Sequence, residues 1–152
     1  MLRVELIRPV PQLLVERAER FRDKVAFSDD RRSVTYAELE RRTRRLAGHL
    51  VGAGVARGER VLIYLANCVE TAEAYLATTR ASLVGVCVNP DAAVAEVGYQ
   101  LADSGARVVI TDEARLDHVR TLTAGRDDVL VLLAGDGAVP ADVLSYERLA
   151  TT

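Results

Sequence analysis

The stretch SVTYAELERRTRRLAGHL, residues 33–50, most constrains what this chain can fold into. Thr35 offers a hydroxyl for a helix N-cap, and Glu38 stands three residues on, the spacing of a capping box. Leu39, Thr43, Leu46, Ala47 and Leu50 then recur along one helix face. Gly52 and Gly54 follow, and glycine ends helices readily because it enters the left-handed region without a Cβ clash. The spacing predicts an amphipathic helix over 36–53 with no chemistry on it. Arg41, Arg42, Arg44 and Arg45 fall on the side away from Leu39, Leu46 and Leu50. Glu38 and Glu40 stand four residues before Arg42 and Arg44, the favourable order for helix ion pairs. No aromatic residues interleave for base stacking, so the cluster reads as a solvated face.

Around this helix the chain alternates. Pro9 and Pro11 mark entry to a first helix over 12–22, with Leu13, Leu14, Ala18 and Phe21 toward the core. Val25-Ala26-Phe27 and Ser33-Val34-Thr35 read as a small hairpin across the polar turn Asp29-Asp30-Arg31-Arg32. Strands are expected at 60–64, 84–88, 108–111 and 129–133. Helices are expected at 68–82, capped by Asn67, then at 93–103, then in a short piece ending at Thr121. Alternating strands and helices argue a largely parallel sheet with flanking helices and right-handed crossovers. Beyond Leu133, Ala134-Gly135-Asp136-Gly137 and Pro140 are turn-rich, and Ser145 to Leu149 reads as a cap and turn. The expectation is one α/β unit over 1–152: helix and hairpin at 10–35, α/β core at 36–133, turn-rich tail at 134–152. Its core is expected to hold Leu39, Leu46, Leu50, Val61, Ile63, Leu65, Val86, Val88, Val109 and Val131.

Composition closes off several function classes. Hydrophobic residues make up 49% of the 152, enough for a core, and aromatics only 5%. A net charge of −2 gives no global pull toward nucleic acid or anionic membrane. No apolar run of about 18 residues is present, so no spanning helix is expected, and MLRVELIRPV is not a signal peptide. Cys68 and Cys87 lack partners at metal-ligand spacing and read as buried free thiols of a reducing cytoplasm. His49 and His118 are single, with no nucleophile motif nearby. Asp127-Asp128 reads as a turn. Gly52 to Gly58 closes a helix and opens a strand, the wrong place for a dinucleotide fingerprint.

Four segments together point further. Val34-Thr35-Tyr36-Ala37-Glu38-Leu39 leads to Leu46-Ala47-Gly48-His49-Leu50 and then to Gly54-Val55-Ala56-Arg57-Gly58-Glu59-Arg60-Val61. Val61 to Asn67 with Glu70 follows, then RASLVGVCVNP from Arg80 to Pro90, then YQLADSGA from Tyr99 before VVITD at Val108. In this order and spacing they resemble the opening part of the acyl-adenylating ligase superfamily. That group includes acyl-CoA synthetases, luciferase-like ligases and peptide-synthetase adenylation domains. The N-terminal wording is also similar to ligase domains that load modular polyketide synthases. Two positions depart from the family pattern: Ser82 stands where it usually has glycine, and Cys87 where it often has proline.

The resemblance implies a parent enzyme that joins a carboxylate to ATP, giving acyl-AMP, and then passes the acyl group to CoA or a carrier-protein pantetheine. ATP and Mg²⁺ are implied for that parent. The family's Ser/Thr/Gly-rich phosphate loop ending in P-K-G, its ribose-binding aspartate, its hinge and its late catalytic lysine have no counterpart here; the one lysine is Lys24. The chain is therefore expected to be the N-terminal scaffold part of such a ligase, cytoplasmic and inactive alone. No residue is assigned a catalytic, cofactor-binding or metal-binding role. Its expected partners are the remainder of the ligase or, through the surface that remainder would cover, a second copy. A reading of another class is a stand-alone, non-enzymatic interaction module with the same fold. A small nucleotide-binding protein is disfavoured, since no glycine-rich loop joins a strand to a helix.

Overall fold

α2 (Tyr36–Gly52) begins as its sequence requires. In the computed structural model, which describes residues 8–152, the Thr35 hydroxyl accepts from the Glu38 N–H at 3.3 Å. The Glu38 carboxylate accepts in return from the Thr35 N–H at 2.8 Å, closing the capping box. That backbone N–H, more than any other group, holds the Glu38 carboxyl below its ordinary range. The helix ends at Ala53, and Gly54 turns the chain at φ +84°.

In front of α2 lie α1 (Val10–Arg20) and an antiparallel hairpin of β1 (Val25–Ser28) and β2 (Ser33–Thr35). α1 starts earlier than expected: Pro9 is its N-cap and Pro11 sits in its first turn, where a missing N–H costs nothing. Leu14 joins Val34, Leu39 and Val69 in a small cluster that fixes α1 and the hairpin, while Leu13, Ala18 and Phe21 are half-buried.

The rest is one parallel sheet of β3 (Arg60–Tyr64), β4 (Val84–Cys87), β5 (Val108–Asp112), β6 (Leu130–Ala134) and β7 (Leu144–Ser145). Their spatial order is β4-β3-β5-β6-β7. Helices join the first four: α3 (Val69–Arg80), α4 (Val94–Ser104), and a 3-10 turn (Glu113–Arg115) leading into α5 (Leu116–Thr123); α6 (Tyr146–Thr151) follows β7. Successive side chains of a strand point to opposite faces, and both faces are covered. Val61 and Ile63 pack with Leu46, Leu50, Ala74, Ile110 and Leu132 under α2, α3 and α6. Leu62 and Tyr64 pack with Val97, Leu101, Val109 and Val119 under α4 and α5. The α/β class, the parallel sheet and the hairpin are as expected.

Some local expectations are corrected. The segment after Leu133 does not stay irregular. Leu144 and Ser145 pair with Leu132 and Leu133 as a fifth strand, and Ser145 caps α6 by accepting from the Arg148 N–H at 3.1 Å. Tyr146 is wholly buried there. Of the expected core, Val86 and Val131 are half-buried while the other residues are buried. Cys87 is exposed, because β4 is an edge strand, and Cys68 is half-buried. Among the described residues no helix is long and apolar enough to cross a membrane.

Candidate functional site

β3 and β5 are neighbours in the sheet although β4 lies between them in sequence. The chain leaves β3 toward α3 on one face and leaves β5 toward α5 on the other. A reversal of this kind opens a crevice at the carboxyl ends of the strands, where open α/β sheets place their ligands. Here the crevice is lined by Leu65, Ala66, Asn67 and Cys68 after β3, Asp112 at the end of β5, Ala134 at the end of β6, and Asp29, Asp30 and Arg31 from the hairpin. Its volume is about 320 Å³. A second lobe of about 470 Å³ continues past Glu113, Gly135, Asp136 and Gly137.

Asp29 is what brings the hairpin to this rim. Its Oδ1 accepts from the Arg31 and Arg32 N–H groups at 2.8 and 2.9 Å, an Asx turn. Its Oδ2 accepts from the Val69 N–H, the first of α3, at 2.8 Å. The cap of α3 therefore comes from the hairpin. The expected local cap, Asn67, is displaced: the N-cap position is Cys68, which makes no side-chain cap bond. A helix N-terminus leaves several N–H groups open, and any acceptor the fold delivers can fill one. The Val69 N–H first, then those of Arg32 and Arg31, lower the Asp29 pKa to about 2.

On the opposite wall, Asp112 Oδ2 accepts from Arg115 Nη1 at 2.6 Å and from the Ala66 N–H at 3.4 Å. Its Oδ1 is buried with no partner among the described residues. Arg115 also lies 5.5 Å from the Tyr64 ring centroid and donates from Nε to the Pro90 carbonyl at 3.0 Å. It thus ties the Asn89-Pro90 loop to the crevice. Thr111 Oγ1 is a further buried oxygen without a partner among the described residues.

Asn67 and Glu70, adjacent in one motif, go to different places. Asn67 lines the crevice, while Glu70 turns behind it into a buried ionic network. Arg31 and Arg32 reach Glu70 at 2.8 and 3.3 Å, and Arg32 reaches Glu73 at 2.9 Å. Arg42 grips Glu73 at 2.6 Å and Glu147 at 2.7 Å. The solvated-face reading of the arginines is therefore corrected at Arg42, which is 7% exposed. The pattern held a signal for this: Arg42 lies three residues after Leu39 and four before Leu46, inside the apolar stripe. Arg41 and Arg44 are exposed as expected, and half-buried Arg45 donates to the Thr151 carbonyl at 2.5 Å. His49 and His118 are exposed on their helices.

A nucleotide triphosphate does not suit the side chains of this crevice. Asp29, Asp30, Asp112, Glu113 and Asp136 line it with one lining cation, Arg31, itself engaged by Glu70; Arg115 behind the wall neutralises Asp112 alone. Like charges at this density repel a polyanion.

A parallel, doubly covered sheet with a crevice at its switch point defines the open, doubly wound class of α/β domain. The chain belongs to the AMP-binding enzyme family, whose sequence model matches residues 14–150. It is 42% identical over 144 residues to Chalcone synthase cfoA of Aspergillus candidus, covering 95% of this chain and 5% of that protein. It is 37% identical over 120 residues to 4-coumarate--CoA ligase 3 of Oryza sativa subsp. japonica, covering 77% of this chain and 22% of that one. A benzoate CoA ligase from Burkholderia xenovorans LB400 superposes with a TM-score of 0.83 at 30% identity over 95% of this chain and 28% of that structure. The chain thus corresponds to an N-terminal segment of the acyl-adenylating ligases and spans a minor part of the relatives it matches.

Proposed function

We propose that this chain is the N-terminal scaffold portion of an ATP-dependent ligase that activates an acyl or aryl carboxylate. The observation that carries this reading is the family match over residues 14–150, nearly the whole chain. In the parent reaction the carboxylate attacks the α-phosphate of ATP, pyrophosphate leaves, and a thiol of CoA or a carrier-protein pantetheine displaces AMP. ATP with Mg²⁺ supplies the activation. The side chains here do not fit the triphosphate, so no step is routed through them. Their part is to build one wall: Asp29 and Arg115 fix the hairpin turn and the Asn89-Pro90 loop around the ends of β3 and β5.

The remainder of the ligase is the natural partner. Phe27, Tyr75 and Cys87 line one apolar groove beside the outer edge of β4, which pairs with no further strand among the described residues, and Phe27 and Tyr75 are 44% and 50% exposed. Apolar surface of this kind, beside unpaired strand groups, supports packing against further protein.

The test is carboxylate-dependent ATP–pyrophosphate exchange. The pure 152-residue chain should give none above background, while the open reading frame, carried into a Ser/Thr/Gly-rich loop and a late lysine, should give it. Exchange by the chain alone, or a gene that stops after Thr152, would overturn the scaffold reading in favour of an enzyme or an independent module.

A further inference from the structure

One face that shares no residue with the crevice carries cations left without ion-pair partners among the described residues. Arg17, Arg20, Arg22, Lys24 and Arg41 are all exposed, and none has an ion-pair partner among the described residues. Most other arginines are paired with carboxylates or donate to carbonyls. Three of the five cations converge on one ring: Arg20, Lys24 and Arg17 lie 5.0, 5.6 and 5.9 Å from the Phe21 centroid. The ring attracts each of them, but three like charges around it repel one another. The whole chain is acidic at −2, so this is a local asymmetry. The nearby carboxylates of Glu19 and Asp23 have no ion-pair partner among the described residues, and with Glu38, one turn before Arg41, they are still fewer than the cations.

Beside this cluster, α1 and α2 enclose a groove of about 330 Å³. Its floor is Val15, Ala18 and Ala37, and Arg22, Arg41 and Arg44 stand on its rim. The rim also carries Glu19 and Glu40; Glu40 is held by Arg80 at 2.6 Å and lies 3.8 Å from Arg44, which leaves Arg22 and Arg41 as the rim cations without a partner among the described residues. Val15 is 36% exposed, which is a large share for an apolar side chain flanked by charge. A short apolar floor between banks that carry more cations than carboxylates is a seat an amphipathic helix can use.

We propose that the α1–α2 face docks an acidic amphipathic helix of a protein partner. The apolar stripe of that helix lies on Val15, Ala18 and Ala37, and its carboxylates meet Arg17, Arg20, Arg22 and Arg41. Charge complementarity selects the partner and speeds the encounter. Nucleic acid fits less well, because the two rings of the patch, Phe21 and Tyr36, are half-buried and packed on each other at 5.9 Å, and Phe21 is ringed by cations rather than free to stack. An anionic lipid surface would use the charge but not the groove. The inference stands apart from the ligase reading.

The experiment measures binding of a fluorescent Glu/Leu/Ala peptide of about 18 residues, five turns of helix, patterned with one apolar stripe. The 152-residue chain should bind it, and a scrambled peptide of the same composition should bind at least about tenfold more weakly. R20E/R22E/R41E and, separately, V15E should each weaken binding about tenfold or more, with the folded circular-dichroism spectrum retained. Should charge reversal unfold the chain, R20Q/R41Q carries the same test. Equal binding of the scrambled peptide, no binding at all, or preferential binding to phosphatidylcholine–phosphatidylserine vesicles or single-stranded DNA would each overturn the proposal. Loss of ATP–pyrophosphate exchange in the longer protein would bear on the ligase reading and leave this one untouched.

Discussion

Arg42 on α2 and Glu147 on α6 face each other through two hydrogen bonds of 2.7 and 2.8 Å, although 105 residues separate them. The same guanidinium holds Glu73 of α3 at 2.6 and 3.1 Å. One planar fork therefore clasps three helices on one face of the sheet. Burial works against its charge, but the bonds to Glu147 and Glu73 more than offset this, and Arg42 holds its proton more firmly than usual. Bonding from Arg42 is also the first cause that lowers the Glu147 carboxyl. Arg42→Ala should cost about 3–5 kcal/mol, because it leaves Glu73 buried with half its compensation gone. Arg41→Ala, one residue away and exposed, should stay within about 0.5 kcal/mol. Urea denaturation of both variants decides the matter; similar midpoints would mean that the network is loose in solution.

Asp29 makes stability depend on acid. Its folded pKa of about 2 lies below the ordinary 3.8, so the carboxylate binds fewer protons in the folded state. Its contribution is complete above the unfolded value and fades as pH falls from about 4 through about 2. Asp29→Asn should lower the thermal midpoint at neutral pH and flatten this acid limb. A wild-type and variant difference that stays constant from pH 6 to about 2 would show that the α3 cap is not ionic.

These two residues also mark where sequence stopped being informative. The capping box of Thr35 and Glu38 was legible because both partners lie within one turn of helix. The strands were legible because a sheet covered on both faces needs continuous apolar runs such as Val61–Tyr64. Asp29 capping α3 was not, since nothing within one turn of Val69 points to an acceptor 40 residues upstream. Leu144 and Ser145 were too short to show a strand period, and β7 exists only because β6 offers an edge. Arg42 stands inside the apolar stripe by its spacing, but its charge argues for solvent until its two carboxylates are in view. The crevice is a product of strand order, which spacing along the chain does not encode.

Tyr146 tests the unexpected α6. Its side chain is wholly buried among Leu46, Leu50 and Leu132, and its hydroxyl lies 3.3 Å from both the Glu70 carbonyl and Glu73 Oε2. Burial, before any charge, pushes the phenol well above its usual range, so it stays a donor. Tyr146→Phe should cost about 1 kcal/mol, the worth of one hydrogen bond. Tyr146→Ala should cost about 3–5 kcal/mol through the cavity it leaves. Denaturation curves for the pair separate bonding from packing; two small effects would mean that α6 lies off the sheet in solution.

At Ser82 the backbone itself carries a physical cost. It is the one non-glycine residue with positive φ, +59°, among those described. It follows the last turn of α3: its N–H bonds the Thr79 carbonyl at 3.1 Å, and the Leu83 N–H bonds the Thr78 carbonyl at 3.0 Å. That pair of bonds is a Schellman motif, whose left-handed position glycine fills best. A serine Cβ there meets the carbonyl oxygen at a cost of about 1–2 kcal/mol. Glycine would relieve this but give the unfolded chain more freedom, worth about 0.4–1 kcal/mol. Ser82→Gly should therefore stabilise by up to about 1.5 kcal/mol, the difference of those two effects. Ser82→Val should destabilise, since a β-branched side chain tolerates positive φ least. The reading is the urea midpoint at unchanged slope. A less stable glycine variant would show that serine is at ease in this turn and that the strain argument fails for it.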